Sequence, residues 1–99
     1  MHKYIKLRTE LSEKGIGSIK MFGKSMEPLI KSGSIITFEE RDTYSVGDIV
    51  FCKVRGTYYA HKIVKKGPKG YLIGNNKGKE NGWTSSVYGA MISVFNVIV

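Results

Sequence analysis

One serine lies in a short turn that would hold it rigidly. Ser25 comes two positions after Gly23 and three before Pro28 in the segment Gly23-Lys24-Ser25-Met26-Glu27-Pro28. Glycine permits backbone angles closed to other residues and proline fixes φ, so this turn has little freedom. Its hydroxyl could attack a carbonyl carbon, but a serine needs a base within hydrogen-bond reach to do so. A lone serine in such a turn is far more often only a turn residue, so the turn indicates little until the chain supplies a partner for it.

Two adjacent residues are candidates for that base. His61 and Lys62 lie within the largely apolar stretch Tyr58–Val64, which is typical of a strand. A free imidazole titrates near pH 6.5, so it exchanges protons readily at neutral pH. Side chains alternate between the two faces of a strand, so only one of the two residues can face Ser25. A strand histidine that merely bonds to a neighbour is the structural alternative.

The composition limits the other kinds of site. Cys52 is the only cysteine, and the two histidines, His2 and His61, are far apart in the sequence. We therefore expect no disulfide, no metal site and no cofactor, and a reducing compartment. The net charge of +8 would suit phosphates, an anionic membrane surface or an acidic peptide. The basic residues are spread along the chain, however, and the densest run, Lys62–Lys69, is typical of a solvated hairpin.

The pattern of apolar residues predicts one helix followed by strands. Tyr4–Lys14 is predicted to be a short amphipathic helix that ends at Gly15. Six or so strands follow, predicted over Ser18–Phe22, Ser34–Glu39, Ile49–Val54, Thr57–Lys65, Tyr71–Ile73 and Val87–Ile98. Residues 74–82 lack a regular pattern and are predicted to form a loop. The predicted fold class is mainly β, with a small curled antiparallel sheet and a short N-terminal helix.

The length of 99 residues predicts a single domain. Within it, residues 1–17 form a helical cap and residues 18–99 the β core. No signal peptide is visible, and no run approaches the roughly 20 apolar residues that span a bilayer. We therefore expect a cytoplasmic protein, associated with a membrane only through a partner or an anchor missing from this chain.

Short motifs in a fixed order resemble the signal peptidase and LexA-like serine peptidase superfamily. Between about Ile19 and Val94 they are Gly23-x-Ser25-Met26-x-Pro28, Gly33, Val46-Gly47-Asp48-Ile49-Val50, His61-Lys62-Ile63, Gly74-Asn75-Asn76 and Val87-Tyr88-Gly89. The resemblance implies that Ser25 is the nucleophile and that the base lies on a later strand. That base is a lysine in LexA-like and typical bacterial signal peptidases, but a histidine followed by a basic residue in the archaeal and endoplasmic-reticulum enzymes. His61 therefore resembles the base of the histidine branch.

The resemblance also implies the surroundings of the serine. The backbone N–H groups of Ser25 and Lys24 would stabilise an oxyanion, and Met26, Phe22 and Tyr59 would line the substrate groove. The substrate would lie extended against a strand edge near Phe22 or residues 57–60. Members of the family prefer small residues before the scissile bond.

The chain departs from the family where an acid is usual. Asn75 stands in place of the aspartate after Gly74, and Glu80 is the nearest carboxylate in the sequence. Asn75 and Glu80 are therefore the candidates for orienting the imidazole of His61. A neutral partner would fix the ring tautomer but would stabilise the imidazolium less than a carboxylate does.

The resemblance implies a serine endopeptidase that removes a leader or signal-like segment from a peptide or protein precursor. We expect its activity to fall as His61 is protonated, near pH 6 to 7. One alternative is a LexA-like regulator that cleaves itself, although the segment before residue 18 contains no Ala-Gly pair. The other is a non-enzymatic module on the same fold that binds peptide or nucleic acid, with nucleic acid the less expected partner.

Overall fold

The computed structural model describes residues 2–96, which form one helix and seven strands. Helix α1 spans His2–Lys14. The strands are β1 (Ile16–Met21), β2 (Ser34–Glu39), β3 (Ile49–Val54), β4 (Thr57–Gly67), β5 (Gly70–Gly74), β6 (Glu80–Thr84) and β7 (Val87–Phe95). They form one antiparallel sheet in the order β1-β2-β7-β3-β4-β5-β6. The predicted fold class, mainly β with a short N-terminal helix, is confirmed.

The predicted elements differ from the observed ones mainly after β5. The bounds of β2 and β3 are as predicted. The loop predicted over residues 74–82 is wrong at its end, because β6 begins at Glu80 and pairs with β5. Asn81 and Gly82 are weak strand formers, so the pairing rather than the local sequence determines this strand. The last strand was predicted to end at Ile98, and residues 97 and 98 lie outside the described part of the chain.

Helix α1 covers one face of the sheet. Leu7 and Leu11 point into the core and are each 1% exposed. Gly17 on β1 lets the helix approach closely, because a Cβ atom at this position would lie 2.8 Å from Leu7 Cδ1. The same core cluster is formed by Ile19, Met26, Ile30, Ile36, Phe38, Phe51 and Ala60. The Ser25 turn is thereby anchored to the core on both sides of Ser25. Strand β1 precedes the turn, and Met26 follows Ser25 directly.

The far end of the sheet curls back towards its middle. The Thr84 hydroxyl at the end of β6 donates to the carbonyl of Lys53 on β3 at 2.6 Å, and the N–H of Lys53 donates to the carbonyl of Ser86 at 2.9 Å. A second core cluster, which includes Val50 and Ile73, fills the curl. The curvature brings β6 against β3, although β5 and β4 lie between them in the sheet order.

In the described part of the chain, no helix is both long enough and apolar enough to cross a membrane.

Candidate active site

Ser25 lies in the turn that follows edge strand β1. Gly23 has a φ of +124°, which few residues other than glycine adopt, and so turns the chain away from the strand. Its N–H donates to Ser32 Oγ at 3.1 Å, and the Glu27 N–H donates to the Lys24 carbonyl at 3.2 Å. These bonds confirm that the Ser25 segment is a tight, internally bonded turn.

The loop after β5 fastens this turn from the other side. The Asn76 N–H donates to the Ser25 carbonyl at 3.0 Å, and its side-chain Nδ2 donates to the Glu27 carbonyl at 3.0 Å. Asn76 therefore bonds to the turn at two positions, the carbonyl of Ser25 and the carbonyl of Glu27. The position of Ser25 therefore rests on a contact from a distant segment as well as on the local Gly/Pro sequence.

His61 reaches Ser25 from the middle of β4. Its Nε2 lies 2.8 Å from Ser25 Oγ, and the imidazole is 6% exposed. The ring packs against Tyr59, with 4.8 Å between the ring centroids. Lys62, the other candidate, is paired with Ile49 and does not line the cavity at Ser25. Strand alternation therefore places the histidine, not the lysine, beside the hydroxyl.

Asn81 on β6 bonds to the other ring nitrogen of His61. Its Oδ1 lies 2.7 Å from His61 Nδ1. With the amide oxygen facing the ring, Nδ1 carries the proton and donates it, so Nε2 keeps its lone pair for the Ser25 hydroxyl. This is the tautomer that a general base needs. The arrangement Ser25–His61–Asn81 has the topology of a catalytic triad whose third member is neutral.

A break in the pairing of β5 and β6 gives Asn81 its position. Ile73 pairs with Gly82 and Gly74 pairs with Glu80, so Asn81 is the extra residue of a β-bulge. A bulge redirects a side chain relative to the regular strand alternation. The amide can thereby reach the ring of His61 on β4, one strand beyond its own neighbour β5.

The electrostatics of the site keep the imidazole neutral. Burial lowers the pKa of His61 below its usual value of 6.5, and the hydrogen bond with Asn81 opposes this effect in part. A carboxylate in place of Asn81 would stabilise the imidazolium more strongly. His61 is therefore a neutral hydrogen-bond acceptor for Ser25 at physiological pH.

A cavity of about 320 Å³ opens at the Ser25–His61 pair. The predicted groove residues Met26, Phe22 and Tyr59 all line it. Met26 is also 4% exposed and belongs to the core, so it lies both at the wall of the cavity and in the core. Tyr4 of α1 reaches the cavity too, a contact that the sequence alone did not predict.

Neither of the two residues predicted to orient His61 bonds to its ring, which corrects that prediction. Asn75 lines the cavity, but its Oδ1 accepts the N–H groups of Lys77 and Lys79 at 2.8 and 3.0 Å and so closes its own loop. Glu80 is exposed and does not line the cavity. Asn81, the residue that sequence reasoning missed, takes the position, because the bulge points it and not Glu80 at the ring. The only local signal was the Trp83-Thr84 pair after the loop, which is typical of a strand.

Two further features beside Ser25 are open for a ligand. Within residues 2–96, the backbone N–H groups of Lys24 and Ser25 donate to no protein acceptor. In the same range, β4 pairs with β5 only from Lys62 onwards, so its segment 57–61 has no strand on that side. A free strand edge can pair with an extended peptide, and free N–H groups can bind an oxyanion.

The described residues contain no group of three or more His, Cys, Asp or Glu side chains arranged to hold a metal ion.

The comparison with known families identifies the family of the chain. A family model described as Peptidase S24-like matches residues 2–84, a span that includes Ser25, His61 and Asn81. A search of curated proteins found no match to the chain. The family comprises serine peptidases of the LexA and signal peptidase superfamily. Because the match covers well over half of the sequence, the chain belongs to the Peptidase S24-like family.

Proposed function

We propose that this protein is a serine endopeptidase that uses a Ser25–His61 dyad to cleave a leader or signal-like segment from a peptide or protein precursor. The observation that carries the proposal is the 2.8 Å contact between Ser25 Oγ and His61 Nε2 at the mouth of a cavity. Lysine is the base of LexA-like peptidases, so a histidine at this contact would place the protein in a histidine branch. The matching family supports serine peptidase chemistry in general.

The residues of the site support a complete acyl-transfer cycle. Ser25 Oγ attacks the scissile carbonyl carbon while His61 Nε2 takes the hydroxyl proton, and the N–H groups of Ser25 and Lys24 stabilise the oxyanion. The carbon–nitrogen bond then breaks as the imidazolium returns that proton to the leaving amine. Water next attacks the acyl ester with His61 again as the base, which releases the acid product and restores the Ser25 hydroxyl.

The free strand edges indicate how a precursor would bind. Phe22 follows β1, which is the edge strand of the sheet, and segment 57–61 of β4 has a free side. An extended peptide laid between them would pair with the backbone and present its carbonyl to Ser25. This geometry favours an unfolded segment such as a leader over a folded loop.

The direct test is to incubate the protein with candidate precursors, including any encoded beside its gene, and to map new termini by mass spectrometry. We expect cleavage by the native protein and none by Ser25→Ala. A cut within the protein's own chain would instead identify the self-cleaving alternative. Cleavage that survives in Ser25→Ala would refute the proposal. Precursor binding without cleavage by the native protein would support the non-enzymatic alternative.

The pH dependence of activity should reflect the lowered pKa of His61. The base works only when neutral, so the midpoint of the acidic decline in kcat/KM should lie below 6.5, the usual pKa of histidine. The sequence-based expectation of a decline near pH 6 to 7 is therefore moved to more acidic values, because it ignored the burial of the ring. The measurement is kcat/KM across the acidic range. An acidic limb with its midpoint above 6.5 would contradict the buried-histidine base.

Asn76 should affect activity more than stability. Asn76→Ala removes the side-chain bond to the Glu27 carbonyl but keeps the backbone bond to Ser25. One hydrogen bond is worth about 0.5–1.5 kcal/mol, so we expect kcat/KM to fall about two- to tenfold as the turn loosens.

The matched control for Asn76→Ala is Ser18→Ala. This change removes the surface bond of Ser18 Oγ to Thr37 Oγ1 (2.6 Å), and Ser18 lies outside the cavity. It should leave kcat/KM unchanged while it changes Tm by a similar amount. If the two variants lower kcat/KM equally, Asn76 has no special role in positioning Ser25.

A further inference from the structure

The groove at Ser25 carries positive charge and no negative charge. Among the described residues that line it, the side chains that are always charged at neutral pH are Lys31 and Lys79. The nearest carboxylates along the chain, Glu27 and Glu80, do not line the cavity.

Both ammonium groups are free, although both backbones are fixed. Within residues 2–96 the ion pair is Arg41–Glu39, so neither lysine has a carboxylate partner there. The Lys31 N–H donates to Asn96 Oδ1 at 3.0 Å, and the Lys79 N–H donates to Asn75 Oδ1 at 3.0 Å. Each lysine therefore combines a hydrogen-bonded backbone with an unpaired ammonium group, which suits the binding of an anionic group.

The two lysines flank the catalytic pair from two different segments. Lys31 ends the turn that begins at Lys24 and carries Ser25. Lys79 lies in the loop that Asn76 fastens to the Ser25 carbonyl. Both lysines line the same cavity as Ser25 and His61, so a precursor that enters it meets both residues.

We propose that this groove selects precursor segments that carry Asp or Glu side chains next to the scissile bond, and that Lys31 and Lys79 bind those carboxylates. The inference rests on the proposed function for the cleavage step but not for the binding step. Opposite charges raise the rate of encounter and fix the register of the bound segment. Acidic residues in the precursor would thus add specificity that apolar contacts alone do not provide.

The groove fits a peptide better than a nucleic acid. Its floor is apolar and is formed in part by Met21, Met26 and Ile36, which suit aliphatic side chains. The free side of segment 57–61 offers backbone donors and acceptors at strand spacing, which an extended peptide matches residue by residue. The anionic ligand is therefore inferred to be an acidic peptide.

Binding is tested with Ser25→Ala protein, which holds peptides without cutting them. Three fluorescent peptides share one alanine- and leucine-based frame and carry Glu, Gln or Lys at the same positions. We expect the Glu peptide to bind about fivefold more tightly than the Gln peptide, which is the upper range for an exposed ion pair, and to weaken with added salt. Adding Lys31→Gln and Lys79→Gln should remove the preference, and adding Lys31→Glu and Lys79→Glu should reverse it in favour of the Lys peptide.

Lys65→Glu is the matched control, because Lys65 is exposed on β4 and does not line the groove. It changes the net charge as Lys79→Glu does but should keep the preference for the Glu peptide. Equal affinity for the three peptides, or a preference that persists after both lysines are reversed, would overturn the inference. So would a single-stranded oligothymidine that binds more tightly than the Glu peptide in a manner that depends on Lys31 and Lys79.

Cleavage by the native protein separates this inference from the proposed function. Binding that depends on the two lysines, without cleavage of any peptide or precursor, would sink the peptidase proposal and leave the acidic-ligand site standing. Cleavage at equal rates whatever the flanking charge would support the peptidase proposal and overturn the acidic-ligand site.

Discussion

Replacing His61 by glutamine is expected to lower kcat by about 10⁴-fold or more, the range seen when a member of a catalytic triad is removed. Glutamine is close in size to histidine and can still bond to the Ser25 hydroxyl, but it cannot take the proton. The side chain is 6% exposed, so a residue of similar volume limits the packing defect that alanine would leave. The measurement is kcat on a cleaved precursor, with Tm as a check on folding.

Lys62→Ala is the control for His61→Gln. The base of LexA-like peptidases is a lysine, and Lys62 is the lysine next to His61. Lys62 is only partly buried and lies outside the cavity, so kcat should stay within about twofold of the native value, as for a surface change of about 0.5 kcal/mol or less. Loss of activity in Lys62→Ala but not in His61→Gln would move the base by one residue. It would also require β4 to present its opposite face to Ser25.

Replacing Asn81 by aspartate should move the acidic limb of the activity profile to higher pH. A carboxylate in place of the amide that lies 2.7 Å from Nδ1 stabilises the imidazolium, so the pKa of His61 should rise. A more basic imidazole also accepts the serine proton more readily, so kcat on the high-pH plateau should rise. The measurement is kcat/KM against pH for the native protein and for Asn81→Asp.

Asn81→Leu tests the same position with a side chain that has no acceptor. The Nδ1 proton would then be buried without a partner, which costs about 1–3 kcal/mol and favours the wrong tautomer. We expect a five- to 150-fold loss of kcat, the equivalent of that energy. If Asn81 had a purely structural role, Asn81→Leu would still lower Tm. In that case, however, Asn81→Asp would have the same pH profile as the native protein. An unmoved acidic limb in Asn81→Asp would therefore contradict the assigned role.

The proposed nucleophile and base could be predicted from the sequence because each lies in a motif of a few residues. The rigid turn around Ser25 depends on Gly23 and Pro28, and strand alternation limits the base to His61 or Lys62. The choice between the two needed the family resemblance. The structure agrees with that choice at the level of geometry, with the imidazole in contact with the Ser25 hydroxyl.

The third member of the site could not be predicted, because its position depends on contacts distant in sequence. Asn81 faces His61 only because β6 pairs with β5 through a bulge and the sheet curls. Residues 80–82 carry no strand pattern of their own, so the local sequence pointed to a loop. Motif matching then favoured Asn75, which closes its own loop instead. The positions of Lys31 and Lys79 in the groove depend on the same long-range packing.

The most direct test of the role of Ser25 is to stop the reaction with acid during turnover and to locate any covalent intermediate by mass spectrometry. We predict an ester between Ser25 Oγ and the new carboxyl end of the amino-terminal precursor fragment, absent from Ser25→Ala. His61→Gln should form it far more slowly than the native protein. An acyl group on any other residue, or turnover that continues in Ser25→Ala, would contradict the central claim that Ser25 is the nucleophile.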